Sequence, residues 1–229
     1  MKKTYIFLVF RQVFSGRLCS DAERISIMGR IRILEQSVAL KIAAGEVIDR
    51  PSSILRELLD NSIDAGSSVI TVNIESSGMK EIRVTDNGSG MDRDDLELCF
   101  LPHATSKISS AEDLYSINTL GFRGEALSSI ASSARLEIIT STDSDSAGHS
   151  LKTDSSGKFQ ISTVKARKGT IISAKDLFYA FPARKQFLKS PSAETTLCRN
   201  IFFEKAAARP DISFRLYIDG KLVQMLPVS

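Results

Sequence analysis

Cysteine and histidine are scarce in this chain of 229 residues, with three of the first and two of the second. Cys19, Cys99 and Cys198 are odd in number, far apart and without a CxxC spacing. That pattern excludes a disulfide framework and leaves too few co-ligands for a zinc site. Reduced thiols in a cytoplasmic protein are the expectation. Long apolar runs are also missing, since no segment approaches the roughly 18 residues that span a bilayer. The start, MKKTYIFLVF, imitates a signal peptide, but Arg11 and Gln12 cut its apolar run short. Neither secretion nor a membrane partner is expected. Phosphate loops of the GxxxxGK[ST] and GxGxxG types do not occur.

What is present suffices for a buried core: 42% of the residues are hydrophobic and 25% charged, the globular range. Charge is uneven. Residues 28–159 hold 13 basic against 20 acidic side chains, while residues 160–229 hold 12 against 5. An acidic middle suits a cation-dependent site, and a basic end suits a polyanion, although scattered surface charge gives the same totals.

Apolar spacing predicts a helix over 35–48 and a second one that begins near Pro51 and ends at Gly66. Alternation predicts strands over 68–75 and 81–86. Further on, a helix is expected in GEALSSIASSA, and strands in RLEIITS, FQISTV and GTIISA. A helix near 192–208 and a hairpin turning at Asp219-Gly220 close the chain. The Ser- and Asp-rich stretch STDSDSAGHSLKTDSSGK reads as a loop or long hairpin tip. Strands that return in pairs favour an α/β (α+β) two-layer sandwich, with helices on one face of a mixed, mainly antiparallel sheet.

Three stretches carry chemistry. In ELLDNSIDAG, a helical wheel puts Glu57, Asp60, Asn61 and Asp64 within about 100° of one another, opposite Leu55, Leu58 and Leu59. That acidic face is either solvated or faces a cation and a reacting water. Mg2+ accepts one or two protein oxygens, and a carboxylate one turn away can deprotonate a water for attack on a phosphoryl group. DNGSGM follows a strand; it is either a plain turn or a place where a ligand lies against bare backbone beside the Asp86 carboxylate. In GFRGEAL two glycines open a helix, which suits an anion.

Together, ELLDNSIDAG, VTDNGSGM, HATSKI, LGFRGEALSSI, the pair Gly169-Thr170 and DLFYAFPARKQFLK resemble the N-terminal ATPase region of the MutL mismatch-repair proteins. These form part of the GHKL group with gyrase B, Hsp90 and the histidine kinases. The resemblance implies a GHKL/Bergerat-type ATP-binding fold, with ATP and Mg2+ as cofactors. It implies Glu57 as general base, Asn61 as the Mg2+ ligand and Asp86 as the partner of the adenine amino group. Gly88 and Gly90 would admit the base, with Met91 beside them, and Thr170 would support the adenine end. Residues 92–124 would form a lid, with Ser106, Lys107 and the backbone of Gly121, Phe122, Arg123 and Gly124 near the phosphates. Asp60 and Asp64 receive no firm role and would hold water or cap structure.

The implied function is an ATP-driven switch with slow hydrolysis, linking mismatch recognition by a MutS-like partner to repair, with ATP-dependent self-association of the N-terminal regions. The alternative is a truncated, non-hydrolysing module that binds DNA or a partner. Arg184, Lys185, Lys189, Arg199 and Lys205 read equally well as a DNA-backbone surface without sequence specificity or as solvated surface charge. Residues 1–27 match nothing in the family and read as an N-terminal extension or as the product of an unused upstream start, with translation beginning at Met1 or at Met28. Residues 28–210 read as the ATPase domain and 211–229 as a closing hairpin and the start of a truncated second domain. The usual LFYNTPAR is LFYAFPAR here, so a packing change is expected around Ala180 and Phe181.

Overall fold

The architecture follows from one helix and the sheet it covers. The computed structural model describes residues 48–101, 104–105, 107, 119–121, 124–143, 147–153 and 158–229. The helix expected over 35–48 therefore lies outside the described residues except for Ile48, as do residues 1–27. Helix α1 (Pro51–Asp64) starts with Pro51 in its first turn and buries Ile54, Leu55, Leu58, Leu59 and Ile63. Each such side chain contributes about 1.5 to 3 kcal/mol when fully buried. Gly66, at φ +69°, ends the turn after it; an added Cβ would meet nothing there, so conformation rather than space is what glycine supplies.

Strands β1 (Val69–Glu75) and β2 (Glu81–Asp86) form a hairpin. Then come the short α2 (Arg93–Leu98), α3 (Ala126–Ser133), β3 (Arg135–Ser141), β4 (Ala147–Thr153), β5 (Phe159–Lys165) and β6 (Gly169–Lys175). A 3-10 turn (Pro182–Phe187), α4 (Pro191–Ala208), β7 (Ser213–Ile218) and β8 (Lys221–Leu226) complete the order. The eight strands make one sheet in the order β5-β4-β3-β6-β2-β1-β7-β8. Among the described residues only β1 with β7 is parallel, and the other pairs are antiparallel. The closing hairpin thus forms the edge of this same sheet, and its turn takes Asp219 and Gly220 at φ +48° and +76°.

Register makes the two faces unlike. Leu216, Val72, Val84, Ile172 and Ile138 lie opposite one another across five strands, and all are buried. Helices α1, α3 and α4 cover this side; Phe202 of α4 meets Phe214 of β7 edge to face at 5.9 Å. Residues of the opposite parity, Arg83, Glu81, Lys175 and Glu137, form a charged network on the other side. The two-layer expectation holds.

One segment differs from its expected form. The stretch expected as a loop or long hairpin tip contains strand β4, whose Gly148, Ser150 and Leu151 are buried against β3 and β5. Gly148 has no room for a side chain, since a Cβ would stand 2.5 Å from that of Ala166. Close packing here uses small residues, so the apolar alternation that marks a strand is missing. Cys99 and Cys198 are free thiols, both pushed up to about 12 by burial. Among the described residues no helix is long and apolar enough to cross a membrane.

Candidate active site

The sheet's apolar rows end in a polar one. The row after Val72 and Val84 runs Phe214, Ile70, Asp86, Thr170 and Thr140, all on the helix-covered face. Asp86 Oδ2 accepts the Ser62 hydroxyl at 2.9 Å; Oδ1 accepts the backbone N–H of Gly88 at 2.9 Å and of Thr170 at 3.2 Å. Burial raises the Asp86 carboxyl above its ordinary value, against the pull of those donors. The Thr140 and Thr170 hydroxyls meet at 3.1 Å, and Met91 N donates to Thr140 Oγ1 at 2.9 Å. Asp86, Gly88, Met91 and Thr170 therefore form one corner. Asn87 has a different task, since its Oδ1 caps the start of β1 by accepting from Ser68 and Val69 N–H.

The glycines of DNGSGM are also required by packing within the chain. A Cβ at Gly88 would stand 2.7 Å from the Cβ of Ala65, and one at Gly90, at φ +71°, 2.0 Å from Ser141 O. Packing of the turn against α1 and β3 requires both glycines. Thr140 is a site residue that the sequence reading missed. Its signal was available, because a threonine follows Leu136 and Ile138 at core parity in RLEIITS.

A second corner lies on α1. Lys107 Nζ donates to Asn61 Oδ1 at 3.1 Å and to Asp64 Oδ2 at 2.5 Å. Asp64 also accepts from Leu120 N at 3.0 Å and Gly121 N at 3.1 Å. A Cβ on Gly121 would be 3.5 Å from Lys107 Nζ and 3.7 Å from Asn61 Oδ1. Gly124, at φ +64°, packs on Ala104, whose carbonyl oxygen would be 2.5 Å from an added Cβ. The HATSK and GFRG segments thus lie together beside α1 at these described positions. Ser106, Phe122 and Arg123 lie outside the described residues.

Glu57 is half-buried and its carboxyl is raised, first by burial and then by the Asp60 charge, against Lys205, Arg56 and Lys107. Lys205 corrects an expectation. Its Nζ lies 2.6 Å from Asp60 Oδ1, with the two side chains 12% and 11% exposed, a close charge contact joining α4 to α1. Lys205 is therefore no part of an open DNA surface, whereas Lys185, Lys189 and Arg199 are exposed. Arg184 lies over the ring of Phe181 at 5.1 Å, so one substituted position of LFYAFPAR makes a cation-aromatic contact.

For Mg2+, the donor set fits in kind. Asn61 offers a carbonyl oxygen with two lone pairs, one of which faces Lys107. Hard oxygen ligands of this sort, completed by waters and phosphate oxygens, are what Mg2+ takes. Among the described residues no group of three His, Cys, Asp or Glu stands ready as a metal cage.

Comparison with known proteins agrees with this geometry. Over 197 residues the chain is 49% identical to the DNA mismatch repair protein MutL of Clostridium botulinum, covering 86% of this chain and 29% of that protein. Over 199 residues it is 46% identical to MutL of Porphyromonas gingivalis, covering 87% and 32%. The chain spans under a third of the length of these two relatives. Among solved structures, the Aquifex aeolicus MutL ATPase domain complexed with ADP superposes with a TM-score of 0.62 at 26% identity, covering 80% of this chain and 65% of that one. The N-terminal domain of a DNA repair protein gives 0.70 at 32% identity, with 83% and 57% covered. Residues 50–176 match the family described as histidine kinase-, DNA gyrase B- and HSP90-like ATPase, and the chain belongs to that family, with MutL proteins among its relatives there.

Proposed function

We propose that this chain is the ATP-binding, slowly hydrolysing N-terminal region of a MutL-like mismatch repair protein. The observation that carries the reading is the polar row at the end of the core, where a buried carboxylate is held by three donors beside two threonines. An ionised carboxylate accepts from about four donors. The exocyclic amino group of adenine is a further donor for Asp86, with Thr170 and Thr140 beside it. At the other corner, Asn61, Lys107 and the backbone at Gly121 meet the polyphosphate.

The Glu57 carboxylate takes the proton of an attacking water as that water's oxygen bonds to the γ-phosphorus and the bond to the bridging oxygen breaks. ADP and phosphate leave. A carboxyl raised above its usual value accepts that proton more readily than an exposed one. Mg2+ held by Asn61 would neutralise charge on the phosphate oxygens.

ATP-driven association of two N-terminal regions, a MutS-like partner and DNA contact through Lys185, Lys189 and Arg199 complete the proposal, in a cytoplasmic setting. The alternative, a non-hydrolysing docking module, draws support from edge strand β8, where Leu222, Val223 and Met225 are exposed. Phosphate release separates the two. Wild type should release phosphate from ATP slowly, and Glu57→Ala should release none while binding a non-hydrolysable analogue as wild type does. Equal release by Glu57→Ala would remove Glu57 from its role.

A further inference from the structure

Asp64 has no part in the scheme above, yet it accepts from three donors, as many as Asp86 does. Its side chain is 6% exposed. One oxygen accepts from Leu120 N, and the other from Gly121 N and from the Lys107 ammonium. A carboxylate that only caps structure takes backbone donors, and one that only neutralises a lysine needs no backbone. Asp64 does both at one point, bringing residues on either side of 108–118 to the helix that carries Asn61.

An ammonium has three donors. Lys107 gives one to Asp64 and one to Asn61, and the third has no partner among the described residues. A lysine side chain otherwise spreads over many rotamers, at an ordering cost of up to about 2 kcal/mol. Holding it in advance removes that cost from ligand binding.

We propose that Asp64 is a positioning residue: it orients Lys107, beside Asn61 and the Gly121 backbone, so that the remaining ammonium donor meets a nucleotide's phosphates. The inference rests on the nucleotide reading given above. Asp64 itself touches no phosphate; a carboxylate would repel one. Its effect on binding must therefore pass through Lys107.

The test is calorimetric binding of ADP and of adenosine to the whole chain and to Lys107→Met, Asp64→Asn and the double variant. Each single change should weaken ADP about tenfold, the worth of one charged hydrogen bond. The double variant should be no weaker than Lys107→Met alone, and adenosine, which has no phosphate, should bind all four chains equally. A full additional loss in the double variant, or an equal loss for adenosine, would overturn the proposal in favour of a purely structural Asp64. Asp64→Glu, which keeps the charge, should recover part of the ADP affinity, and no recovery would count against it.

If wild type binds neither ligand, the nucleotide reading fails by itself. The positioning claim then stands or falls on exchange of the Gly121 amide and on the nitrogen resonance of the Lys107 ammonium. Both should change in Asp64→Asn, and both unchanged would refute the anchor.

Discussion

The two corners of the site are built by different physics. At the Asp86 corner, three strands set the positions: Asp86, Thr170 and Thr140 face one another because β2, β6 and β3 are paired in that register. A slip of one residue would turn all three away, along with the core residues beside them. At the Asn61 corner, a single helix meets residues that are far from it in sequence, and one carboxylate, Asp64, does the joining. The first corner is therefore as rigid as the core. The second depends on a few charged contacts that a single substitution can release.

The largest expected effect breaks the first corner. Asp86→Ala leaves the Ser62 hydroxyl and two backbone N–H groups without their acceptor, each loss worth about 1 to 3 kcal/mol. Adenine nucleotide binding should fall by at least about a hundredfold, adenosine should fall equally, and the melting temperature should drop with it. Loss confined to ADP would contradict the division of labour between the corners.

Next in size is Lys205→Met, which strands the Asp60 charge at the α1–α4 contact. About 2 kcal/mol of stability should be lost, a fall of about 4 to 8 °C in melting temperature. Adding Asp60→Leu should recover most of it. No recovery would mean that packing of the lysine stem, and not the pair, held the helices.

Lys107→Met sharpens the comparison from the other side, with its loss of about tenfold falling on ADP and sparing adenosine. The smallest effect concerns Glu57. Its carboxyl is raised by burial and by Asp60, so the folded state favours the protonated form. The associated stability is present below the ordinary carboxylate value and is lost as pH rises through the raised one. Glu57→Gln should therefore melt slightly higher than wild type near neutral pH, with the gain disappearing in acid. A gain that persists unchanged in acid would show that charge is not its cause.

Sequence alone carried much of the first corner. Strands over 81–86 and 135–141 alternate cleanly, and Asp86 sits where the alternation meets a glycine turn. Thr140 escaped notice because one threonine in a strand is ordinary until register sets it against Thr170. Strand β4 was hidden because Gly148 and Ser150 fill positions too tight for apolar side chains. The second corner was harder. Nothing local ties Lys107 to Asp64 or Lys205 to Asp60, and a lysine whose partner is distant in sequence reads as a surface charge. In the same way, the close packing of the DNGSGM glycines on Ala65 and Ser141 could not be read from the local sequence.

Whether these residues form an adenine nucleotide pocket is decided by one titration. Non-hydrolysable ATP and GTP analogues, each with Mg2+, would be titrated by calorimetry into wild type, Asn61→Ala and Asp86→Asn. Wild type should bind the adenine analogue and not the guanine one, and both variants should lose it. Equal binding of the two analogues, or a folded wild-type chain that binds neither, would rule out an adenine pocket at these residues.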